Sequence, residues 1–293
     1  MQILTPAKVN LNLSVAPLEA GNSFHKVETV LCRLALADDV TLECTPQDPS
    51  ITCVCDPDPL PKGVPGASQA NIAWRAAKAM QDEFQETCGC RIIINKNIPS
   101  QAGLGGGSSD AAAVLRLLAE SWGIQSHDPR VLSVAASLGA DVPFFLYDSP
   151  AHMTGRGDVL QELLPAFETP VVLVKPPVGV STKLAYEAFD AMDSPASPLE
   201  PLIEALRNQD IPKALLNCAN NLAPASMVVQ PALAEVEKFL ATQDHALARP
   251  LLCGSGSCWA LFTDSTQAAQ RIALIAYAYG WWSLATHTGC PEA

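Results

Sequence analysis

Residues 8–15, KVNLNLSV, alternate strictly, with Val9, Leu11, Leu13 and Val15 on one side and Lys8, Asn10, Asn12 and Ser14 on the other. A period of two predicts a strand that packs its apolar face on a core and carries a row of polar groups opposite. An ordinary half-exposed strand fits the same spacing. Val40–Cys44 and the β-branched run Arg91–Ile94 predict two more strands. The proline-rich stretch Pro46–Gly66 reads as an excursion between elements, and Asn71 opens an alanine-rich helix reaching about Glu86. An Ala- and Leu-rich run after Asp110 predicts another helix. Further on come a strand pair near Ala151–Glu162 turning at Gly155–Gly157, a linker at Pro165–Pro170, a buried strand Val171–Lys175 ended by Pro176, and a strand-like run Trp259–Phe262.

Between strand 91–94 and the helix after Asp110 lie Pro99 and then Gly103, Gly105, Gly106 and Gly107. Four glycines in five residues are costly unless the backbone must wrap closely round something. Ser108, Ser109 and Asp110 are expected to cap the first helical turn. Strand, glycine loop and helix N-terminus together make an anion socket, because unpaired amides and the helix dipole converge there. The spacing is not that of a Walker A loop, since no lysine follows Ser108, nor of a dinucleotide fingerprint, since Ser108 stands where the third glycine would. That excludes a nucleotide-binding oxidoreductase, and no protein-kinase triplets occur.

Composition sharpens this picture. The chain has 293 residues, 48% hydrophobic and 16% charged, enough for one large or two ordinary cores. A net charge of −12 argues against nucleic acid or an acidic membrane as partner. An acidic chain that holds polyphosphate must gather positive potential from amides and a few lysines. Asn10 and Asn12 interrupt the apolar stretch near the N-terminus, so no secretory leader is expected. Ile272–Ala285, 14 residues with Gly280 inside, is too short to span a bilayer and reads as a core element. Both readings favour the cytoplasm, where the ten cysteines are expected as reduced thiols in cores. Cys53/Cys55 and Cys88/Cys90 are spaced too tightly for the usual structural zinc pairs.

A second motif, LGADVPFF at 138–145, delivers Asp141 from a turn at Gly139 directly before two phenylalanines. Such a carboxylate is desolvated, paired with a cation, or a helix cap. Elsewhere Phe24-His25 sets a stacking ring beside a hydrogen-bonding one, and Thr182 and Tyr186 share a helix face by their spacing of four. Gly254-Ser-Gly-Ser-Cys258 is a second glycine loop, which a plain turn also fits.

The run from Pro99 to Ala112, P-x3-G-L-G-G-G-S-S-D-A-A, closely resembles the phosphate loop of the GHMP kinases, small-molecule kinases named for galactose, homoserine, mevalonate and phosphomevalonate. Pro6-Ala7-Lys8-x-Asn10-Leu11-x-Leu13 and the Asp141 motif resemble the same family. They are most similar to its branch acting on the C2 hydroxyl of a cytidine diphosphate-linked methylerythritol, in the non-mevalonate isoprenoid route. The resemblance implies an α+β, two-domain fold, with a ribosomal-protein-S5-domain-2-like domain over residues 1–164 and a ferredoxin-like domain over residues 165–293. It implies ATP and Mg²⁺ as cofactors, Asp141 as catalytic base and Lys8 as its partner. Asn10, Asn12, Phe24, His25, Thr182 and Tyr186 are the implied substrate contacts, with Phe24 and Tyr186 sandwiching the base and His25 reading its edge. Asn71, Lys96, Pro99, Gly103, Leu104, Gly105, Gly106, Gly107, Ser108 and Ser109 are the implied nucleotide contacts, although Asn71 also fits a cap and Lys96 a solvated lysine. The metal ligands stay unassigned, Ser109 or Asp110 being able to supply one contact. Phe24 replaces the family's tyrosine, and Ala20 its aspartate. Another GHMP kinase, of homoserine or mevalonate type, would share fold and loop; the homoserine enzyme lacks the Asp141-type motif and the aromatic–His pair. An inactive ligand-binding relative would lack Lys8 or Asp141, and both are present.

Overall fold

The computed structural model describes residues 1–19, 21–56, 67–192 and 194–291. In chain order the elements are β1 Gln2–Val15, β2 Val27–Thr45, β3 Ile51–Asp56, α1 Ala67–Ala70, α2 Ile72–Phe84, β4 Gly89–Asn95, α3 Gly106–Ser121, α4 Pro129–Leu138 and a 3₁₀ turn Pro143–Leu146. There follow β5 Ala151–Thr154, β6 Val159–Leu163, β7 Pro170–Lys175, α5 Thr182–Asp190, α6 Glu200–Arg207, α7 Ile211–Leu216, β8 Ala219–Asn220, α8 Ala223–Val229 and α9 Ala232–Ala241. The chain closes with β9 Leu251–Leu252, β10 Trp259–Phe262, α10 Thr266–Ala278 and β11 Trp282–His287.

Two sheets organise these elements into the expected α+β arrangement. The first runs β3-β4-β2-β1-β8, with β5 also paired to β2 and β6 to β5. The second runs β11-β7-β10-β9, the order of a ferredoxin-like sheet. Because β2 is 19 residues long, its edge away from β1 takes several partners in turn. β5 covers Thr29–Leu31, β4 covers Asp39–Thr45, and a bridge from Leu34 to Thr288 fills part of the gap between them.

The alternation of β1 is real but is re-phased partway. A β-bulge between Asn10 and Asn12 leaves Leu11 without a partner on β2. Ahead of it, Ala7, Val9 and Leu11 join a core with Val171, Leu173, Leu202 and Phe262; beyond it, Leu13 and Val15 join another with Val174, Trp259 and Ile272. Both cores mix residues from before and after the expected 164/165 boundary, which falls in the loop between β6 and β7. A third core lies under α2, α3 and α4, around Ile92, Ile94, Leu115 and Phe144.

Two expectations need correction, and one alternative is excluded. Pro46–Gly66 is not wholly an excursion, because β3 lies inside it, parallel to β4, where alternation at Ile51, Cys53 and Cys55 outweighs the flanking prolines; residues 57–66 lie outside the described residues. Ile272–Ala285 is not one core element: Gly280, at φ +81°, ends α10 before β11, and Leu274 and Tyr277 are each 72% exposed. The β1 strand is not half-exposed, since Lys8, Asn10, Asn12 and Ser14 are all buried. Among the described residues no helix is long and apolar enough to cross a membrane.

Candidate active site

The glycine loop arches between two clefts. Gly103 and Gly105 have φ near +75° and +74°, a region that L side chains rarely adopt. A Cβ at Gly103 would lie 1.8 Å from the carbonyl oxygen of Cys253, and one at Gly105 would lie 2.9 Å from Cγ of Lys8. The backbone therefore touches the second glycine loop on one side and Lys8 on the other. Amides of Ser257 and Cys258 donate to the carbonyls of Gln101 and Ala102, tying the two loops together.

α3 starts earlier than the sequence predicts. Gly105 is its N-cap without a side-chain bond, and the helical bond from the Ser109 amide to the Gly105 carbonyl spans 2.9 Å. The amides of Gly106, Gly107 and Ser108 thus precede the helical ladder and are available to an anion. Ser108, Ser109 and Asp110 are helical residues rather than caps. The hydroxyl of Ser109 is fully buried and bonds the Pro6 carbonyl at 2.6 Å and the Thr5 hydroxyl, so this residue braces α3 on β1 instead of facing a cleft.

One cleft, of about 400 Å³, is lined by the arch with Asn71, Lys96 and Pro99. The other, of about 260 Å³, is lined by Lys8, Asn10, Thr29, Asp141, Arg156, Thr182 and Tyr186. Gly103, Gly105 and Ser108 border both. In the second cleft, beside Gly105, Lys8 Nζ stands 3.4 Å from Asp141 Oδ2. Lys8 is 2% exposed, and Asn10 Oδ1 accepts from its ammonium at 2.6 Å. Thr29 holds Asn10 in turn, its hydroxyl accepting from Nδ2 at 2.9 Å. The Asp141 side chain is 33% exposed and reachable from the second cleft, whereas Phe144 and Phe145 turn into the core. Arg33 secures this segment from behind, donating to the carbonyls of Phe145 (3.1 Å) and Tyr147 and pairing with Asp148.

The bulge in β1 decides which residues meet. Leu13, not Asn12, lines the second cleft beside Lys8 and Asn10; Asn12 is buried, and its amide has no hydrogen-bond partner among the described residues. Thr182 lies opposite, its hydroxyl 2.8 Å from that of Ser255 in the second glycine loop. Tyr186 is stacked at a tilt on His25, ring centroids 5.0 Å apart, and burial pushes its hydroxyl up to about 12, with Asp141 adding to the shift. His25 Nδ1 donates to the Ala16 carbonyl at 2.9 Å, since that oxygen can only accept. Phe24 is 63% exposed, with the Arg156 guanidinium 5.2 Å from its ring centre. The structure therefore brings His25 and Tyr186 together, while Phe24 meets Arg156.

On the nucleotide side Asn71 is a cap, its Oδ1 accepting from the Ala73 amide at 2.8 Å, and it also lines the cleft. Lys96 is not a solvated lysine. It lies between Asp38 and Asp110, 2.6 Å from the latter. Burial works against its charge, but the two carboxylates raise it above the ordinary lysine range. Burial pushes Asp110 up to about 7, with the Lys96 charge opposing and Asp38 adding to the rise.

Sequence reasoning missed Thr29, Asp38, Arg156 and Ser255. Arg156 had a signal, a charged residue between two glycines in the 155–157 turn, and Thr29 had one as the threonine closing the segment 21–29 that carries Phe24-His25; Asp38 had none beyond polarity in an apolar run. Among the described residues, which include all ten cysteines, there is no disulfide and no group of three His, Cys, Asp or Glu placed to hold a metal.

The model of the GHMP kinases N terminal domain matches residues 71–149. The 4-diphosphocytidyl-2-C-methyl-D-erythritol kinase of Geobacter sp. (strain M21) is 37% identical over 290 residues, covering 98% of this chain and 99% of the relative. The chain belongs to that kinase family, within the GHMP kinases. A crystal structure of a 4-(cytidine 5'-diphospho)-2C-methyl-D-erythritol kinase superposes with a TM-score of 0.79 at 32% identity, covering 99% of both chains. A homoserine kinase from Cytophaga hutchinsonii has a TM-score of 0.71 at 18% identity, covering 99% of this chain and 94% of its own, and shares the fold. As a GHMP kinase the chain is a small-molecule phosphotransferase that uses ATP.

Proposed function

We propose that the protein transfers the γ-phosphoryl group of ATP to the C2 hydroxyl of 4-diphosphocytidyl-2-C-methyl-D-erythritol, a step of the non-mevalonate route to isoprenoid precursors. One observation carries the reading: the Lys8–Asp141 pair, 3.4 Å apart, lines the acceptor cleft against Gly105, and Gly103, Gly105 and Ser108 of the same glycine arch also line the nucleotide cleft. Phosphoryl transfer needs positioning and charge neutralisation more than covalent help, and the site offers both.

Each residue has a role in that proposal. Amides 106–108 receive the phosphates, with Asn71, Lys96 and Pro99 bounding the nucleotide. Asp141 accepts the proton of the acceptor hydroxyl. Lys8, aimed by Asn10 and Thr29, orients Asp141 and stabilises charge on the moving phosphoryl group. Tyr186 and Phe24 flank the cytosine, Phe24 swinging from its place on Arg156, and His25 reads the base edge once its Nε2, 3.5 Å from Asp190 Oδ1, turns to the base. Thr182 anchors the opposite wall. Ser109 and Asn12 have no contact role.

Magnesium belongs to the proposal as an ion that arrives with the nucleotide. Asp110 is tied to Lys96, and the Ser109 hydroxyl to β1. Ser108, at the border of both clefts, is the side chain that would hold it, with water and phosphate oxygens completing the shell. Bound there, the ion would neutralise phosphate charge. The division into residues 1–164 and 165–293 and a cytoplasmic setting belong to the same reading.

The test is an ATP-turnover assay coupled to ADP release, offering the cytidyl substrate, homoserine and mevalonate in parallel. Turnover with the cytidyl compound alone is expected. A preference for homoserine or mevalonate would reject the substrate, and no turnover with any would reject the kinase reading.

A further inference from the structure

The C-terminal tail lies along β2. A bridge pairs Leu34 with Thr288, and the Gly289 amide donates to the Arg33 carbonyl at 2.9 Å. Continuing that antiparallel register by two residues sets Cys32 opposite Cys290. A bond flanking a bridge in this way marks Leu34/Thr288, and with it Cys32/Cys290, as non-hydrogen-bonded pairs, whose Cα atoms approach to about 4.5 Å. That separation lies within the range a disulfide spans, about 4.4 to 6.8 Å. Cys32 and Cys290 also line one cavity of about 50 Å³ with Arg33, whose Nη1 is 3.8 Å from Cys290 Sγ. Cys32 is 1% exposed and Cys290 is exposed, so one thiol is shielded and the other is open to solvent.

We propose that Cys32 and Cys290 form a reversible oxidation site that takes a low-molecular-weight disulfide as oxidant and clamps the tail to β2. The Cys290 thiolate attacks one sulfur of the small disulfide; a mixed disulfide forms at Cys290 and one small thiolate leaves. Cys32 then attacks Cys290 Sγ, giving up its proton as the second small thiol departs. Two protein thiols are oxidised to one disulfide and the small disulfide is reduced to two thiols. Burial pushes the Cys32 thiol up to about 12, so attack starts at Cys290. The site touches the kinase machinery through Arg33, which also holds the carbonyls of Phe145 and Tyr147 behind Asp141.

Oxidised glutathione is the probe, and the whole protein is the sample. Trypsin releases Cys32 in peptide 27–33 and Cys290 in peptide 272–293, each with a single cysteine. The expected result is loss of two hydrogens from the intact mass and a reducible cross-link between those peptides. Cys290→Ser should abolish the link, and Cys32→Ser should leave one glutathione on Cys290. A wild-type protein that keeps glutathione on Cys290, that links Cys32 to Cys218, or that leaves both thiols open to alkylation overturns the proposal. Should Cys32→Ser not fold, wild type and Cys290→Ser decide it.

Discussion

Lys8 Nζ and Asp141 Oδ2, 133 positions apart in the sequence, lie 3.4 Å from each other beneath Gly105. Opposite charges at that distance, one of them almost fully buried, orient each other strongly. Asp141→Asn keeps the shape and removes the base. Turnover is expected to fall by about 10² to 10⁴ with the nucleotide KM little changed. Steady-state kinetics at saturating ATP make the check, and near-wild-type turnover would remove Asp141 from the mechanism.

The arch admits no side chain at its two left-handed glycines. Gly105→Ala is expected to cost about 1 to 3 kcal/mol from φ alone and to displace Lys8 as well. Gly103→Ala should cost more, because its new carbon meets a rigid backbone carbonyl rather than a flexible side chain. Thermal denaturation should rank wild type above Gly105→Ala and that above Gly103→Ala. Equal melting temperatures for all three would show that the loops do not pack as described.

Base recognition predicts a split between the two substrates. Tyr186→Ala and Phe24→Ala should each cost about 1 to 3 kcal/mol of stacking, a rise of about 5- to 150-fold in KM for the cytidyl substrate. The KM for ATP should stay put. An unchanged cytidyl KM in Tyr186→Ala would break the sandwich.

Asp110 gives stability a pH dependence of unusual sign. Its carboxyl, ordinarily near 3.8, is pushed up to about 7 in the folded protein. The native state therefore holds a proton that the unfolded chain has lost, so this group's stabilisation is full below about pH 4 and is lost as pH rises through 7. Asp110→Asn should flatten the urea midpoint between pH 4 and 7 relative to wild type. A midpoint profile unchanged by the substitution would mean that Asp110 does not titrate there.

Much of the site was legible because its parts are local. Four glycines before a helix, an alternating strand carrying Lys8 and Asn10, and a carboxylate delivered by Gly139 are patterns of neighbours. The misreadings share a cause. Nothing local marks a one-residue bulge, so strict alternation groups Asn12 with Asn10 although the pleat has already shifted. Ser109 reads as a cap until β1 is seen to supply Thr5 and Pro6. The alternative reading of Lys96 as a solvated lysine stays open until Asp38, from a different strand, closes over it.

By itself, then, the sequence determined the elements, the anion-binding arch and the residue types of the chemistry, because helix and strand periods and glycine's missing Cβ act over a few residues. Tertiary structure alone decided that Lys8 meets Asp141, that Leu13 takes the wall Asn12 would have lined, and that the second glycine loop seals the first. The first and third join segments more than a hundred residues apart and the second follows from the register of β1 on β2, so sheet register and core packing set all three rather than any local preference.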